Sequence, residues 1–415
     1  MKNELDYIAG RIEKYISDTK KITATPGQGV TRLPFTLESK RCVHYLEEKM
    51  KNMGLAVTED ASGAIIGILE GKSEQRIMIG SHYDSVEHGG AYDGMAGILC
   101  GLEIAAYYIR NQMIPPYTLE IAGLNDEEGD RFGGGYLSSK AFLGKWTTND
   151  LKYYIDKHGI SYYDAMILYG YAPEHLMRAE RPRKGWKGYL EIHVEQGPIM
   201  ESQGIEIGIV ETIVAIQRYY ITIVGKADHA GTQPMDTRSD AVMAAMDVIT
   251  NMRKYVLKHK GMVGTVGEIH VYPNEINIVP EKITFSIDVR SADQEWLDEC
   301  VHQISEDIKK KEMKGFTCEM KPTLTNTVTA MKEEWVKGLE KSADRLGFSN
   351  MRINSGAGHD AAIIGKEVDT AMLFVPSVGG RSHIPEEYSD ERDLAKAVLT
   401  AIDFIDHIDE ERKSE

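Results

Sequence analysis

The alternation of apolar and polar positions along residues 1–211 predicts an α/β fold. Residues 37–53 and 95–109 carry apolar side chains at helical spacing. The second of these segments is apolar on most of its faces, so we expect a buried helix there. Short apolar runs rich in β-branched residues predict buried strands, and these runs are 64–69, 76–80, 119–124 and 189–193. Strands that alternate with helices are typical of a largely parallel sheet covered by helices.

The pattern changes after residue 211. It predicts a strand, a helix, two strands, a helix and a strand, at 219–224, 239–258, 263–271, 283–290, 293–314 and 317–322. Ser239 stands where the N-cap of the first of these helices would be. The order β-α-β-β-α-β is typical of a small ferredoxin-like domain.

The first pattern then resumes, with a helix at 333–346, a strand at 370–375 and a helix at 391–408. We therefore predict two domains. The first is discontinuous and comprises residues 1–211 and 328–415, and the second, residues 212–327, is inserted into it.

Charge and composition narrow the classes of partner. The net charge of the 415 residues is −16, and no long basic block is present, which argues against nucleic acids and anionic membranes. No apolar run approaches the ~18 residues needed to cross a bilayer. The N-terminal segment is rich in charged residues, unlike a secretory signal. The four cysteines are scattered, as in a reduced cytoplasmic protein, so any metal must be held by His, Asp and Glu.

The segment 80–97 contains the first candidate metal ligands. His82 and Asp84 follow a predicted strand and are two residues apart, so their side chains point the same way. Such a pair suits a histidine ligand whose other ring nitrogen is held by a carboxylate. Asp93 follows a Gly-Gly turn and could bridge two ions, or could simply cap the next helix.

Three more predicted strands end beside candidate ligands. Glu127 and Glu128 follow the strand 119–124 and would point to different sides of an extended backbone, so that one could bind a metal while the other acts as a base. Paired glutamates are also common on protein surfaces. His193, near Gln196, and His383 follow two further strands, although a lone histidine is more often structural. Because ligands gather at the carboxyl edge of an open α/β sheet, these coincident strand ends predict a metal site.

The inserted domain offers polar residues of a different kind. His229 could stabilise an oxyanion, Asn277 could hydrogen-bond a polar substrate, and Arg290 could hold a carboxylate with two parallel hydrogen bonds. Arg290 could equally be a salt-bridged residue at the end of a strand.

Six motifs along the chain together resemble one family. They are GSHYDS (80–85), YDG (92–94), NDEEGDRF (125–132), HVEQGP (193–198), DHAGTQPM (228–235) and GAGHDA (356–361). In this order they resemble the hydantoinase/carbamoylase branch of the di-metal aminoacylase-type metallopeptidases. That branch includes N-carbamoyl-L-amino-acid hydrolases and allantoate amidohydrolases. Asp126 departs from the pattern, because relatives often carry a neutral residue at this position.

The resemblance implies an aminopeptidase-like di-metal catalytic domain with an inserted lid and dimerisation domain. It implies one metal site at His82 and His193, a second at Glu128 and His383, and a bridge at Asp93. Glu127 would be the general base and Asp84 the partner of His82. The substrate would be held by a further group of residues: Gln196, His229, Asn277, Arg290 and Gly358.

The activity implied is hydrolysis of the carbamoyl C–N bond of an N-carbamoyl-L-amino acid or of allantoate, with release of ammonia and carbon dioxide. Gln196 supports this activity, because the motif His-x-Glu-Gln-Gly is typical of the carbamoyl-cleaving branch. The implied cofactors are two divalent ions, zinc first, with manganese, cobalt or nickel as alternatives. The implied partners are a small anionic ureido acid and a second copy of the chain, which could supply some lid contacts.

Two other functions stay open at this stage. One is an aminoacylase or aminopeptidase of the same fold. The other is a metal-binding or regulatory protein that has lost catalysis.

Overall fold

The computed structural model describes residues 2–409, and the chain divides into two compact units. Unit 1 comprises the chain up to Glu211 together with the chain from Ala330 onward, and unit 2 is Thr212–Thr329. In the described residues no helix is long and apolar enough to cross a membrane.

The first part of unit 1 alternates helices and strands. Its helices are α1 (Lys2–Thr19), α2 (Leu37–Asn52), α3 (Met95–Arg110), α4 (Leu137–Phe142), α5 (Thr148–Tyr153), α6 (Tyr162–Tyr169) and α7 (Ile199–Gln203). Its strands are β1 (Ala56–Glu59), β2 (Ile65–Leu69), β3 (Ser73–His82), β4 (Tyr117–Leu124), β5 (Trp186–Val194) and β6 (Ile207–Ile213). Two short 3₁₀ helices, Pro173–Ala179 and Arg183–Gly185, precede β5.

Unit 2 contains two helices and a set of antiparallel strands. The strands are β7 (Ala215–Val224), β8 (Asp228–His229), β9 (Val263–Thr265), β10 (Ile269–Tyr272), β11 (Ile278–Val279), β12 (Lys282–Ser291) and β13 (Thr317–Thr325). The helices are α8 (Ala241–Val256) and α9 (Gln294–Glu312), and a 3₁₀ turn, Met235–Thr237, precedes α8.

The chain then completes unit 1. Its last strands are β14 (Thr329–Ala330), β15 (Asn350–Ser355) and β16 (Thr370–Val375). Its last helices are α10 (Glu333–Leu346), α11 (Asp360–Ile364) and α12 (Glu391–His407), with a 3₁₀ turn at Val378–Gly380.

The main sheet of unit 1 has four parallel strands at its centre, in the order β4-β3-β5-β16. Antiparallel strands flank them, with β2 and β1 beyond β4 and β6 beyond β16. Every residue of β4 is buried, as expected for a parallel strand covered on both faces. Helix α3 packs against β3, β4 and β5, and α12 packs against α3 and α1. The sheet therefore presents the carboxyl ends of four rigid strands along one edge.

Unit 2 contains a five-stranded antiparallel sheet with the order β10-β12-β7-β13, in which the short strand β9 also pairs with β12, and α8 and α9 pack on this sheet. Alternate residues of β12 are buried against the helices, and the residues between them, including Asp288 and Arg290, face away from the helices. The main elements follow the order β-α-β-β-α-β, with the short strands β8, β9 and β11 added.

Two local predictions in unit 2 were wrong. Helix α8 is capped by Asp240, whose side chain accepts a hydrogen bond from Met243 N, and not by Ser239. The single strand predicted at 263–271 is two strands, β9 and β10, which pair with different parts of β12.

Candidate metal centre

The predicted metal ligands of unit 1 lie together at the carboxyl edge of the parallel strands. His82 is the last residue of β3 and pairs in register with Leu124, the last residue of β4, so the loop bearing Glu127 and Glu128 begins beside it. His193 pairs in register with Phe374 near the end of β16, the strand that precedes His383. The parallel order of the strands therefore places side chains that are far apart in sequence at one edge.

Asp93 lies at the centre of this cluster. Its Oδ1 is 3.4 Å from His82 Nε2 and 3.1 Å from His193 Nε2. Its Oδ2 is 3.0 Å from His383 Nε2, and the same imidazole nitrogen is 3.4 Å from Glu128 Oε1. The two oxygens of one carboxylate thus face two different groups of ligand atoms. Asp93 is not the N-cap of α3, because that position belongs to Gly94.

The donor set fits two divalent ions that share Asp93. Within each of three groups the ligand atoms lie within 4.8 Å of one another, and these groups are His82–Asp93–His193, His82–Glu127–Glu128 and Asp93–Glu128–His383. Imidazole nitrogens and carboxylate oxygens suit zinc, manganese, cobalt and nickel. The fit therefore rests on the chemistry and spacing of side chains that the fold itself brings together.

The orientation of the imidazoles is set by hydrogen bonds at their other nitrogens. His82 Nδ1 is 3.1 Å from the carbonyl oxygen of Asp84, and His193 Nδ1 is 2.9 Å from that of Val194. A carbonyl can only accept, so each Nδ1 carries a proton. Each Nε2 faces Asp93, to which a protonated ring donates in the metal-free protein, and a neutral ring would offer its Nε2 lone pair to a metal ion.

Asp84 holds the glutamate pair as well as His82. Its carboxylate Oδ1 is 3.6 Å from His82 Nδ1, which is longer than the contact made by its own carbonyl. The carboxylate also accepts hydrogen bonds from the backbone N–H groups of Glu127, at 3.1 Å, and Glu128, at 3.2 Å. Asp84 therefore connects the end of β3 to the loop after β4.

The electrostatics of the cluster separate its carboxyl groups. Burial opposes ionisation of Asp93, but hydrogen bonds from His193, His383 and His82 hold its pKa well below the usual range. Burial and the neighbouring charge of Asp93 raise the pKa of Glu128 to about 8. Burial raises the pKa of Glu127 well above its ordinary value, against the opposing effect of His82. Metal ions would favour the ionised carboxylates.

Glu387, held by Ser382, supports the backbone of Asp93 through hydrogen bonds, and the sequence did not indicate this role. Glu387 Oε1 accepts hydrogen bonds from the backbone N–H groups of Tyr92 and Asp93, both at 2.9 Å, and its Oε2 accepts one from the Ser382 hydroxyl at 2.6 Å. A Cβ on Gly90 would overlap the Glu387 side chain, so the loop is shaped around this carboxylate. The sequence offers one signal for Glu387, its position four residues after His383. The residue type gives no signal, because the neighbouring residue 386 is also a glutamate.

His359 is a second buried residue of unit 1 that was missed, although its motif was noted. Its ring lies 4.5 Å from that of His193, and its Nε2 is 2.8 Å from Ser355 Oγ. Burial and the nearby imidazole of His193 keep its pKa well below the ordinary value. His359 is thus a neutral imidazole that supports a ligand ring.

Gly94 has no room for a side chain. Its φ is +62°, and a Cβ there would lie 2.5 Å from atoms of the His82 ring. The turn between Asp93 and α3 therefore requires glycine both for its conformation and for the ligand it contacts.

Gln196 is a predicted substrate residue that contacts Asp93. Its Nε2 is 2.8 Å from Asp93 Oδ2, and its Oε1 is buried without a hydrogen-bond partner among the described residues. Its φ is +59°, and His383 has the same value. Positive φ at non-glycine residues stores strain, which is typical of functional sites.

Asp126, which the sequence left uninterpreted, is turned toward an aromatic cluster. Its side chain accepts a hydrogen bond from the Tyr162 hydroxyl, and Tyr162 packs with Phe132, Trp146 and Phe35. Burial, together with the charge of Asp84, raises the pKa of Asp126 to about 7. The extra acid therefore connects the glutamate loop to the cluster of residues around α5 and α6.

Within unit 2 the structure brings His229 and Asn277 together and places Arg290 in an ion pair. His229 pairs with Ile278, and Ala230 N donates to the Asn277 carbonyl at 3.0 Å. Arg290 contacts Asp288 at 2.8 Å.

The chain from residue 78 to residue 407 matches the Peptidase family M20/M25/M40, and the chain belongs to that family. Like its relatives, it is a metal-binding hydrolase of C–N bonds, and it carries a cluster of His, Asp and Glu side chains spaced so that they could hold metal ions. The resemblance found in the sequence, the α/β fold and the assignment as an enzyme are confirmed.

Two curated relatives cover nearly the whole chain. The N-carbamoyl-L-amino-acid amidohydrolase of Paenarthrobacter aurescens is 36% identical over 405 residues, which is 97% of this chain and 98% of the relative. The allantoate amidohydrolase of Escherichia coli (strain K12) is 33% identical over 395 residues, 94% of this chain and 95% of the relative.

Solved structures agree with this assignment. An amidase of the hydantoinase/carbamoylase family from Burkholderia multivorans superposes with a TM-score of 0.87 at 28% identity, over 96% of this chain and 97% of that one. The aminopeptidase PepT of Bacillus cereus superposes with a TM-score of 0.70 over 96% of this chain and 98% of that one. Its identity is 17%, so this likeness concerns the fold alone.

Proposed function

We propose that this chain hydrolyses the carbamoyl C–N bond of a small ureido acid, either an N-carbamoyl-L-amino acid or allantoate, and releases ammonia and carbon dioxide. The observation that carries the proposal is the meeting of His82, His193, Glu128 and His383 around Asp93, with Glu127 beside them. The activities of the two curated relatives indicate the ureido class of substrate.

Two divalent ions, when bound by these ligands, supply a water of lowered pKa and polarise the carbonyl oxygen of the substrate. We propose zinc as the metal, with manganese, cobalt or nickel as alternatives, because the donor set accepts all four.

Glu127 acts as the general base in this proposal. Its side chain is buried, with Oε2 3.9 Å from His82 Nε2. It takes a proton from the attacking water and delivers that proton to the departing nitrogen. One water is consumed, and the carbamic acid formed by this cleavage decomposes to ammonia and carbon dioxide without a second water. An elevated pKa suits a carboxyl group that must hold the proton between these two steps.

His229 donates to the oxyanion in this proposal. Its Nδ1 accepts hydrogen bonds from the N–H groups of Gly231, at 3.1 Å, and Thr232, at 3.2 Å. The proton of a neutral ring therefore lies on Nε2, which is exposed as a donor. Asn277, adjacent to His229, hydrogen-bonds the substrate.

Arg290 holds the substrate carboxylate in this proposal. Its guanidinium is oriented by Asp288, which also pairs with Arg218 at 2.7 Å. Two guanidinium groups thus lie beside one carboxylate on this face of β12, and a guanidinium is the group that would attract an anionic substrate to a protein of net charge −16. Gln196 and Gly358 complete the proposed substrate contacts.

We also propose that the inserted domain, residues 212–327, is a lid and a dimerisation surface, and that the enzyme is a cytoplasmic homodimer. Free thiols at Cys42, Cys100, Cys300 and Cys318 support a reducing compartment. Sedimentation of the purified protein tests the dimer, and a monomer at micromolar concentration would contradict it.

Ammonia release by the metal-reconstituted enzyme tests the activity. The substrates are N-carbamoyl-L-amino acids, N-carbamoyl-β-alanine, allantoate and dipeptides. We expect ammonia from at least one ureido acid. Hydrolysis of dipeptides without ammonia from any ureido acid would favour the aminopeptidase alternative.

A further inference from the structure

Tyr136 is an aromatic residue of unit 1 to which the proposed function gives no role. It follows the glutamate loop and the run Gly133-Gly134-Gly135, at the N-terminus of α4. Its φ is 58° and its ψ is 38°, the left-handed region that bulky residues rarely occupy. Strain of this kind persists only where surrounding structure enforces it, and it collects at functional sites.

The backbone of Tyr136 is attached to the residue that carries the proposed base. Tyr136 N donates a hydrogen bond to the Glu127 carbonyl at 3.2 Å. A Cβ on Gly135 would lie 2.9 Å from the same carbonyl oxygen, so the glycine run is what lets the loop close against Glu127. The position of Tyr136 is thus set relative to Glu127.

The phenol of Tyr136 lies over Gly358. A Cβ on Gly358 would overlap Tyr136 Oη. Among the described residues Oη makes no hydrogen bond. It is also not one of the fully buried side-chain atoms that lack a hydrogen-bond partner. The hydroxyl is therefore not fully enclosed beside Gly358, and Tyr136 as a whole is partly buried. The nearby carboxylates of Glu127, Asp360 and Glu128 add to burial in raising the pKa of Tyr136, so the phenol carries its proton.

We propose that Tyr136 is a catalytic residue that donates a hydrogen bond from its phenol to the carbonyl oxygen of the bond being cleaved, on the Gly358 side of the cluster. The inference rests on the proposed function for the ureido identity of that carbonyl. The substrate has two groups that could accept this hydrogen bond, the reacting carbonyl and the carboxylate. Because Tyr136 is attached to Glu127, which acts on the reacting carbonyl, we assign that carbonyl to Tyr136 and leave the carboxylate to Arg290. A donor at this oxygen binds more strongly as negative charge develops.

Tyr136→Phe tests the donor, because it keeps the ring over Gly358 and removes only the hydroxyl. We expect kcat to fall 10- to 100-fold while KM changes less than about threefold, with metal content and Tm unchanged. Tyr153→Phe is the matched control, since Tyr153 is 77% exposed, and it should retain wild-type kinetics. A kcat within twofold of wild type, or a rise in KM alone, would overturn the assignment.

A double-mutant cycle with Gly358→Ala tests the contact itself. In the wild-type background the added methyl collides with Oη, whereas in Tyr136→Phe the nearest remaining ring atom, Cζ, is 3.3 Å away. We therefore expect Gly358→Ala to reduce kcat/KM at least tenfold more in wild type than in Tyr136→Phe. Equal losses in the two backgrounds would refute the contact.

The outcome for Tyr136 is distinguishable from the outcome for the proposed function. If the wild-type enzyme cleaves dipeptides and no ureido acid, the proposed function fails, but the Tyr136→Phe comparison on a dipeptide still tests a donor to the scissile carbonyl. If the wild type releases ammonia and Tyr136→Phe matches it, only the inference fails. If neither class of substrate is cleaved, both are overturned.

Discussion

Glu127 is the residue whose replacement separates chemistry from metal binding. Glu127→Gln keeps the size of the side chain and removes its capacity to accept and carry a proton. We expect both metals to stay bound, measured by elemental analysis, and kcat to fall at least 10²-fold. Exposed Glu13→Gln on α1 is the control, and it should behave as wild type. Full activity of Glu127→Gln would remove Glu127 as the base.

Glu387 is expected to determine metal affinity without touching a metal. In Glu387→Gln one carboxylate oxygen is replaced by an amide N–H₂, which donates and cannot accept. Depending on which oxygen is replaced, the hydrogen bond from Ser382 or the two from the backbone of Tyr92 and Asp93 are lost. Loss of these hydrogen bonds leaves the backbone of Asp93 less rigidly held. We therefore expect the affinity for metal to fall about 10- to 100-fold, the range found for residues that support metal ligands. Competition with a chromogenic chelator measures this affinity.

The neighbouring Glu386 is the matched control for that experiment. It is exposed, and among residues 2–409 its side chain makes a single contact, a 3.5 Å ion pair with Arg381. Glu386→Gln should bind metal as the wild type does, because exposed ion pairs contribute little. Equal metal affinities of the two variants would show that the hydrogen bonds of Glu387 do not affect metal binding at Asp93.

Arg290 is expected to act on substrate affinity. Arg290→Ala should raise KM for carboxylate substrates about tenfold or more and leave kcat closer to its wild-type value. Arg253→Ala removes an exposed charge from α8 in the same unit and serves as the control. An unchanged KM would remove Arg290 from the substrate site.

The turn before α3 is the element on which the geometry of the ligands depends most directly. Gly94→Ala places a methyl 2.5 Å from the His82 ring and imposes a φ of +62° on alanine. We expect loss of the ion held by His82 and His193, and destabilisation of at least about 1–2 kcal/mol from backbone strain alone. Metal content and thermal unfolding check the two effects separately.

Gly159→Ala separates strain from collision in that experiment. Gly159 has a φ of +80°, and a Cβ there meets nothing within 4 Å. This variant should lose stability through strain while keeping its full metal content. If Gly94→Ala also kept both metals, the close approach of Gly94 to His82 would not control the site.

The elements that could be read from the sequence are those whose burial is local. Strand β16 occupies the predicted residues 370–375, and α3 extends by one residue beyond the predicted 95–109, because an uninterrupted apolar run can only lie in a core. The ligands at these strand ends followed from the parallel topology together with the family resemblance. Glu387, His359 and Tyr136 did not, because each owes its role to contacts with residues distant in the chain. A buried Glu387 and an exposed Glu386 are indistinguishable until the fold brings Tyr92 and Asp93 to one of them.

At the scale of the whole molecule, the metal centre makes the stability of the metal-free protein depend on pH. The pKa of Glu128 is raised to about 8, mainly by burial, and burial also raises that of Asp360 to about 8. In the unfolded chain these carboxyl groups have a pKa near 4, so the unfolded chain ionises first as the pH rises. The contribution of these groups to the stability of the folded protein therefore falls from about pH 4 to about pH 8. The hydrogen bond to Asp93 raises the pKa of His383 to about 9, so its contribution is present below pH 6.5 and is lost as pH rises through 9.

These contributions have the same sign, so the Tm of the metal-free protein should fall between pH 6 and pH 9. Bound metal holds the carboxylates ionised and the imidazoles neutral, and its affinity rises with pH for the same reason. The increase in Tm on adding metal should therefore be larger at pH 9 than at pH 6, by calorimetry with and without chelator. Glu128→Gln, which cannot ionise at this position, should flatten the decline of the metal-free protein. A Tm of the metal-free protein that rises over this range, or a metal-induced increase that shrinks with pH, would mean that the buried carboxyl groups do not control the stability of unit 1.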